Sequence, residues 1–287
     1  RHTRFRNVTG VQTCALPIWA RTSAHVVAEL KYLEEHGYGS VYFVDDHFLL
    51  QPKRIKAICQ GVTDAKLTIQ WGIEGRVDSV AQHLFPAMAK AHCRTVMFGI
   101  ESGSQKILDR LKKEQTLAEV TPAVKNAKQA GIEIVHGFFT VGNPDETVED
   151  MKATFDFAAK LPLDTFGFNR LCVYRGTPLW QEYVKRGLVQ ESTDWYKYFK
   201  CSEIDPTCLP GETINRVRQK GLQKLFMYKL FCYPIQTIRL LRRFLRFMPV
   251  RDVVFLITKP FMGQKKGDRK STRLNSSHVS ESRMPSS

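Results

Sequence analysis

Between Ser23 and Arg186 the chain alternates strand-like and helix-like stretches five times. The strand-like stretches are 40–44, 67–73, 96–100, 132–141 and 165–173, short and rich in β-branched and aromatic residues. Each leads into a helical pattern with its own start signal. Ser23 is the expected N-cap of a helix reaching residue 36, with Val26, Val27, Leu30 and Leu33 on one face and Gly37 ending it. Pro52 opens a helix to residue 63, Asp78 or Ser79 caps one to residue 91, and a short helix spans 105–111. Thr116, with Glu119 three residues on, forms a capping box for a helix ending at Gly131, and further helices cover 148–160 and 180–186. Parallel strands need a crossover of helical length, so this order predicts a parallel sheet with helical crossovers. The first helix precedes the first strand, so one more strand is expected ahead of it. The predicted fold class is α/β: a partial (β/α)6 TIM-like barrel missing its first strand, plus a C-terminal helical segment.

The two ends read differently from the body. One DNA string encodes residues 8–18, VTGVQTCALPI; its reverse complement, shifted by one base, encodes residues 268–278, DRKSTRLNSSH. An inverted repeat at the nucleic-acid level is not a protein pattern, and the string resembles a sequencing-library adapter. Residues 1–19 and 268–287 are therefore read as artefactual, adapter-like tails. Residues 20–186 are the barrel domain and 187–267 a basic helical segment, and the natural protein is expected to extend past both ends.

Charge separates the two inner regions. Of the 43 Lys and Arg and 28 Asp and Glu in the chain, residues 20–213 hold 23 basic and 25 acidic side chains, whereas 214–267 hold 13 basic and one acidic, Asp252. Outside the tails, Cys59, Cys93, Cys172, Cys201, Cys208 and Cys232 show no metal-binding spacing, and no secretory signal precedes them. Reduced thiols in a cytoplasmic protein are expected. There is no internal repeat and no run long and apolar enough to span a membrane.

Beyond Arg186 the alternation stops. Residues 191–200 are aromatic-rich, and from Glu212 the chain reads as helices. Arg239, Arg242, Arg243 and Arg246 recur at helical spacing beside Leu240, Leu241, Phe244 and Leu245. A basic amphipathic helix of this kind suits an anionic membrane surface, which would place the protein peripherally on the inner membrane face. The alternative is a helix packed on the barrel with a solvated basic face. Nucleic acid is not expected as a partner, because the basic residues are interleaved with aliphatic ones and not set in a groove.

The strand exits carry the chemistry. They read VYFVDDHF, then GRVD, then VMFGIESGS, then GFFTVGNPDET, then VYRGTPLW. In a barrel of alternating strands and helices, ligands sit at the C-terminal ends of the strands. Residues 96–104 end an apolar strand on a carboxylate, two hydroxyls and two glycines, an arrangement for holding something polar.

Taken in order, these five exits resemble the radical S-adenosylmethionine enzymes, and within them the group that carries an N-terminal cobalamin-binding domain. The resemblance covers about residues 21–186. It implies a small-molecule substrate, a reductant such as flavodoxin or ferredoxin, and three cofactors: S-adenosylmethionine, a 4Fe-4S cluster and cobalamin. The implied activity is generation of a 5′-deoxyadenosyl radical for methylation or rearrangement of an unactivated carbon. Alternatives are a methylthiotransferase-like enzyme without cobalamin and a non-catalytic α/β barrel binding module. The basic tail favours a lipid-like substrate. The family's Cys-x3-Cys-x2-Cys loop is absent; it would fall just before Arg21, so this polypeptide is expected to lack the cluster and to be inactive by itself.

By position, the resemblance places Asp45 and Asp46 toward the methionyl ammonium, or alternatively as caps for the helix at Pro52. It makes Glu101 an acceptor for the ribose hydroxyls. Ser102 and Ser104 donate to the carboxylate or cap the helix at Gln105. Residues from Phe138 to Asn143 border the adenine. Arg76 points to the same mouth or pairs with Glu74 or Asp78, and His136 and Asn169 lie within strands where they can face the lumen. No catalytic residue is assigned.

Overall fold

The computed structural model describes residues 20–45, 47–190, 209–247 and 249–258. The two tails, Asp46 and the aromatic stretch 191–200 lie outside them. Five parallel strands pair in chain order as a curled half-barrel: β1 (Ser40–Tyr42), β2 (Gln70–Gly75), β3 (Cys93–Glu101), β4 (Ile134–Val141) and β5 (Thr165–Arg170). Helices α1 (Ser23–Glu35), α2 (Pro52–Asp64), α3 (Phe85–Lys90), α4 (Gln105–Arg110), α5 (Leu117–Gln129), α6 (Val148–Lys160) and α7 (Pro178–Lys185) alternate with them. Three more follow: α8 (Gly211–Cys232), α9 (Pro234–Phe247) and α10 (Val250–Thr258).

One face of the sheet meets the helices. Val96, Phe98 and Ile100 of β3, Val135, Phe139 and Val141 of β4, and Phe168 of β5 are buried there with Val120 and Val124 of α5 and Met151 and Phe155 of α6. Strand side chains alternate, so Met97, Gly99 and Glu101 of β3 and His136, Phe138 and Thr140 of β4 lie on the opposite face, partly exposed. That alternation is what delivers polar groups to one end of the half-barrel.

The element boundaries shift where local chemistry overrides the pattern. Thr22, not Ser23, caps α1, its hydroxyl accepting from the His25 amide at 3.3 Å. Residues 65–67 close the C-terminal end of α2: Lys66 takes φ +53°, and the Leu67 amide returns to the Val62 carbonyl. The β2 ladder therefore begins at Gln70 and runs on to Gly75. The helix expected over 79–91 divides into a 3-10 turn, Val80–Leu84, and α3. Pro86 has no amide hydrogen to continue a single helix through that point. β1 ends at Tyr42 and β5 at Arg170, both short of the expected ends, and β3 reaches back to Cys93. The capping box of Thr116 and Glu119 forms as expected, and Thr147 with Asp150 makes a second one at α6.

β5 is an edge of the sheet, and α8 covers it. Arg218 Nε donates to the Phe168 carbonyl at 2.9 Å, satisfying a group that an edge strand leaves open. Ile214 and Leu225 of α8 are buried in the main core, and Gly221 lies directly on the Phe155 ring.

Candidate functional site

Glu101, the last residue of β3, has φ +69°. A residue other than glycine rarely adopts this left-handed conformation, and it costs roughly 1–2 kcal/mol. The β3–β4 register slips between Gly99 and Glu101, so a bulge re-aims the strand end. The carboxylate is thereby held between two strands and a loop. Lys113 Nζ donates to Oε1 at 3.0 Å and Thr140 Oγ1 to Oε2 at 2.8 Å. Lys113 is itself buried, with 7% of its side chain exposed, so this ion pair is screened little by solvent.

Two contacts hold the loop that carries Lys113. Arg76 donates to the Lys113 carbonyl at 2.6 Å and clamps both oxygens of Asp78 at 2.9 and 2.6 Å. The hydrogen bonds to Asp78, with the neighbouring negative charge and against the effect of burial, raise the Arg76 pKa above its ordinary value. Gln115, also buried, donates to the Ile100 carbonyl at 2.8 Å. Of the two partners expected for Arg76, it takes Asp78; Glu74 instead accepts from the Tyr42 hydroxyl at 3.2 Å.

The β4 exit is a second polar knot. Asn143 is fully buried, and its Nδ2 donates to the Thr140 carbonyl at 2.9 Å. Glu146 Oε2 accepts from the Gly142 and Asn143 amides at 2.6 and 2.8 Å. Asn143 Oδ1 and Glu146 Oε1 are buried with no hydrogen-bond partner among the described residues. Burial, opposed by those amides, pushes the Glu146 pKa up to about 7.

Glu101, Thr140, Asn143, Asn169 and Tyr174 line one cavity of about 540 Å³ at the C-terminal ends of the strands. This volume lies within the range of small-molecule sites. Of the residues expected to form the site, the structure brings Glu101, Asn143 and Asn169 to this cavity. Asp45 is exposed beyond β1, and Asp46 is outside the described residues. Phe138 lies deeper on the same sheet face, its ring edge-on to His136 at 4.5 Å. His136 Nδ1 is 2.8 Å from the Thr165 hydroxyl, and burial pushes its pKa down to about 4.

Ser102 and Ser104 turn away from the cavity. Ser102 is fully buried, with Oγ 3.1 Å from the Thr154 hydroxyl of α6. Ser104 occupies the N-cap position of α4, but its hydroxyl donates to Asp150 at 2.8 Å. They tie the β3 exit to α6. Among the cysteines, Cys59, Cys93 and Cys232 are free thiols, while Cys172 is disulfide-bonded, which departs from the expectation of reduced thiols throughout.

Lys113 and Glu146 are absent from the residues singled out in the sequence. Glu146 had a signal, because the three-residue spacing from Asn143 is that of a capping box. Lys113 had none: its twelve-residue separation from Glu101 marks no motif.

The sequence profile of the Radical SAM superfamily matches residues 16–158, which include Glu101, Asn143 and the first four strand exits. The chain belongs to the radical SAM superfamily. An uncharacterized methyltransferase of Pyrococcus horikoshii is 37% identical over 207 residues, 70% of this chain and 44% of that protein. The anaerobic magnesium-protoporphyrin IX monomethyl ester cyclase of Cereibacter sphaeroides is 28% identical over 236 residues, 78% of this chain and 37% of that protein. This radical SAM chain thus spans less than half the length of these relatives. In three dimensions it superposes on the radical S-adenosylmethionine methyltransferase TsrM from Kitasatospora setae, solved with tryptophan and an S-adenosylmethionine analogue. The TM-score is 0.54 at 19% identity, over 61% of this chain and 36% of that one, which shows a shared fold.

Proposed function

We propose that this chain supplies the adenosyl-binding wall of a radical S-adenosylmethionine methyltransferase that also uses cobalamin. The observation that carries the reading is the cavity at the strand ends, with Glu101 on one side and the unpartnered Asn143 Oδ1 on the other. Each carboxylate oxygen has two lone pairs. Lys113 and Thr140 take one on each oxygen of Glu101, and the remainder accept from the two ribose hydroxyls. A buried amide oxygen without a partner calls for a donor, and the exocyclic amine of adenine is one. Asp45 stands beyond β1 as a carboxylate for the methionyl ammonium. Arg76, Ser102 and Ser104 hold the strand ends in place, and Phe138 borders the deeper part of the sheet face.

In this family an iron–sulfur cluster supplies the electron for reductive cleavage of S-adenosylmethionine. Among the described residues no three His, Cys, Asp or Glu side chains lie together as metal ligands. No step is therefore assigned to thiols of this chain. Methyl transfer is supported by the methyltransferase relative. Cobalamin is supported by the order of the strand exits and by the fold shared with a methyltransferase that holds cobalamin and a [4Fe-4S] cluster. A small-molecule substrate and a flavodoxin- or ferredoxin-like reductant complete the reading.

The test is calorimetric titration of the chain with S-adenosylhomocysteine, which carries the same adenosyl group. Glu101→Gln removes the charge from two hydrogen bonds to ligand and is expected to weaken binding by about tenfold or more, with the thermal transition recorded alongside to confirm folding. A folded Glu101→Gln variant with unchanged affinity refutes the assignment.

A further inference from the structure

We propose that the outer face of α9 is a docking surface for an anionic lipid membrane. This goes beyond the adenosyl site, which lies at the opposite end of β5. Helix α9 has two faces of different character. Gln236, Thr237, Leu240 and Leu241 point inward and bound a cavity of about 330 Å³ together with Leu222 of α8 and Val253 of α10. Ile235, Ile238, Arg239, Arg242 and Leu245 are exposed, and their spacing of three and four residues sets them on one stripe.

That stripe is unusual for a solvated helix face. Ile235 is 65% exposed, Ile238 50% and Leu245 47%, and Phe231, four residues before Ile235, is 72% exposed. Solvent-facing helix positions are ordinarily polar. Here three aliphatic side chains are interleaved with two arginines and no acid. The surrounding sequence has the same sign, with 13 basic residues and one acid over residues 214–267. An apolar stripe with cations along it is the composition that lies in a membrane interface. The aliphatic groups enter the acyl boundary while the long arginine stems carry their guanidinium groups to lipid phosphates. A nucleic acid would pair with the arginines but leave the isoleucines in water. Among the described residues no helix is long and apolar enough to cross a membrane, so the contact is made by a helix lying along the surface.

Co-sedimentation of the whole chain with vesicles tests this, using phosphatidylcholine alone and phosphatidylcholine mixed with phosphatidylglycerol. Binding is expected to the mixed vesicles and to fall as salt is raised. Arg239→Gln with Arg242→Gln should weaken it about 30-fold at low salt. Ile235→Ser with Ile238→Ser should weaken it at least about tenfold. All four side chains are exposed, so the variants should keep the wild-type melting temperature. Because both changes sit in α9, the basic tails contribute equally to every sample. Three results would overturn the proposal. One is vesicle binding that neither pair alters. Another is binding to duplex DNA that the arginine pair abolishes and the isoleucine pair leaves intact. The last is a chain dimer, abolished by the isoleucine pair, with no affinity for vesicles.

Discussion

Glu146 sits beneath the β4 exit with one oxygen receiving two backbone amides and the other unpartnered. Burial moves its pKa from the ordinary 4.5 up to about 7. The folded chain therefore keeps a proton that the unfolded chain releases. The stability this proton contributes is complete below about pH 4.5 and is lost as the pH rises through 7, a span worth up to about 3 kcal/mol. His136 acts in the other direction. Its pKa falls from 6.5 to about 4 on burial, so its contribution is present above 6.5 and is lost as the pH drops toward 4. The two slopes oppose each other over nearly the same range. Glu146→Gln keeps an acceptor for the amides and removes the titration. Its unfolding free energy should rise with pH across that range more steeply than that of the wild type, and above pH 7 it should be the more stable protein. Urea denaturation of both at several pH values gives the answer; identical slopes would show that Glu146 stays ionised. Glu101 was legible because a carboxylate ending an apolar strand is a local pattern. The Asp78 that anchors Arg76 was legible too, two residues along the chain, whereas Lys113, which pairs with Glu101, comes from a loop that meets the strand end only after the sheet has formed.

At the scale of elements, glycines mark where the helical layer touches the strand ends. A Cβ at Gly103 would lie 2.7 Å from the Thr154 backbone and 2.8 Å from the Ala153 carbonyl, so the β3 exit can approach α6 only without a side chain. Gly221 of α8 faces the ring of Phe155, which is stacked on Phe168 at 4.2 Å, and Phe168 on Phe139 at 4.7 Å. Phe155 is the end ring of this stack of three, with Phe168 directly behind it, so it has little room to move away from α8. Gly221→Ala gains about 1 kcal/mol of helix propensity but loses about 1–3 kcal/mol to overpacking, so a lower melting temperature is expected. Gly103→Ala, which meets backbone instead of a ring, should lower it further, and a thermal melt of each variant orders them. A rise in stability for Gly221→Ala would mean that α8 packs more loosely on α6 than this contact requires. The alternation of strands and helices was readable from the sequence because hydrophobic period and capping residues are local. The extra strand residues at Cys93 were not, since sheet pairing decided them, whereas the break at Pro86 has a local cause in the missing amide hydrogen of the proline. Gly221 gave no sequence signal at all, as a glycine inside a helix declares its reason only against its neighbour.

For the whole molecule, the central question is whether the C-terminal helices are an appendage or part of the fold. Ile214 and Leu225 of α8 lie fully within the barrel's own core, and each such side chain is worth about 1.5–3 kcal/mol. Arg218 closes the β5 edge. Lys229 is buried and donates to the Leu161 carbonyl at the end of α6, with burial lowering its pKa to about 8. Together the two aliphatic anchors account for about 3–6 kcal/mol, a large share of the roughly 5–15 kcal/mol that a domain has in total. A chain ending at residue 209 would therefore lose much of its stability. It would also expose the Phe155 ring and an open strand edge, which promotes pairing with other chains. The expected result is a broadened, lower thermal transition with self-association in light scattering, not a smaller monomer with an intact melt. Substitution of Ile235 and Ile238 on the outer face of α9 provides the control, since it should leave the melt unchanged. If the truncated chain instead stays monomeric and unfolds at the wild-type temperature, then α8 only rests on the barrel, and the β5 edge is protected by its own twist and side chains.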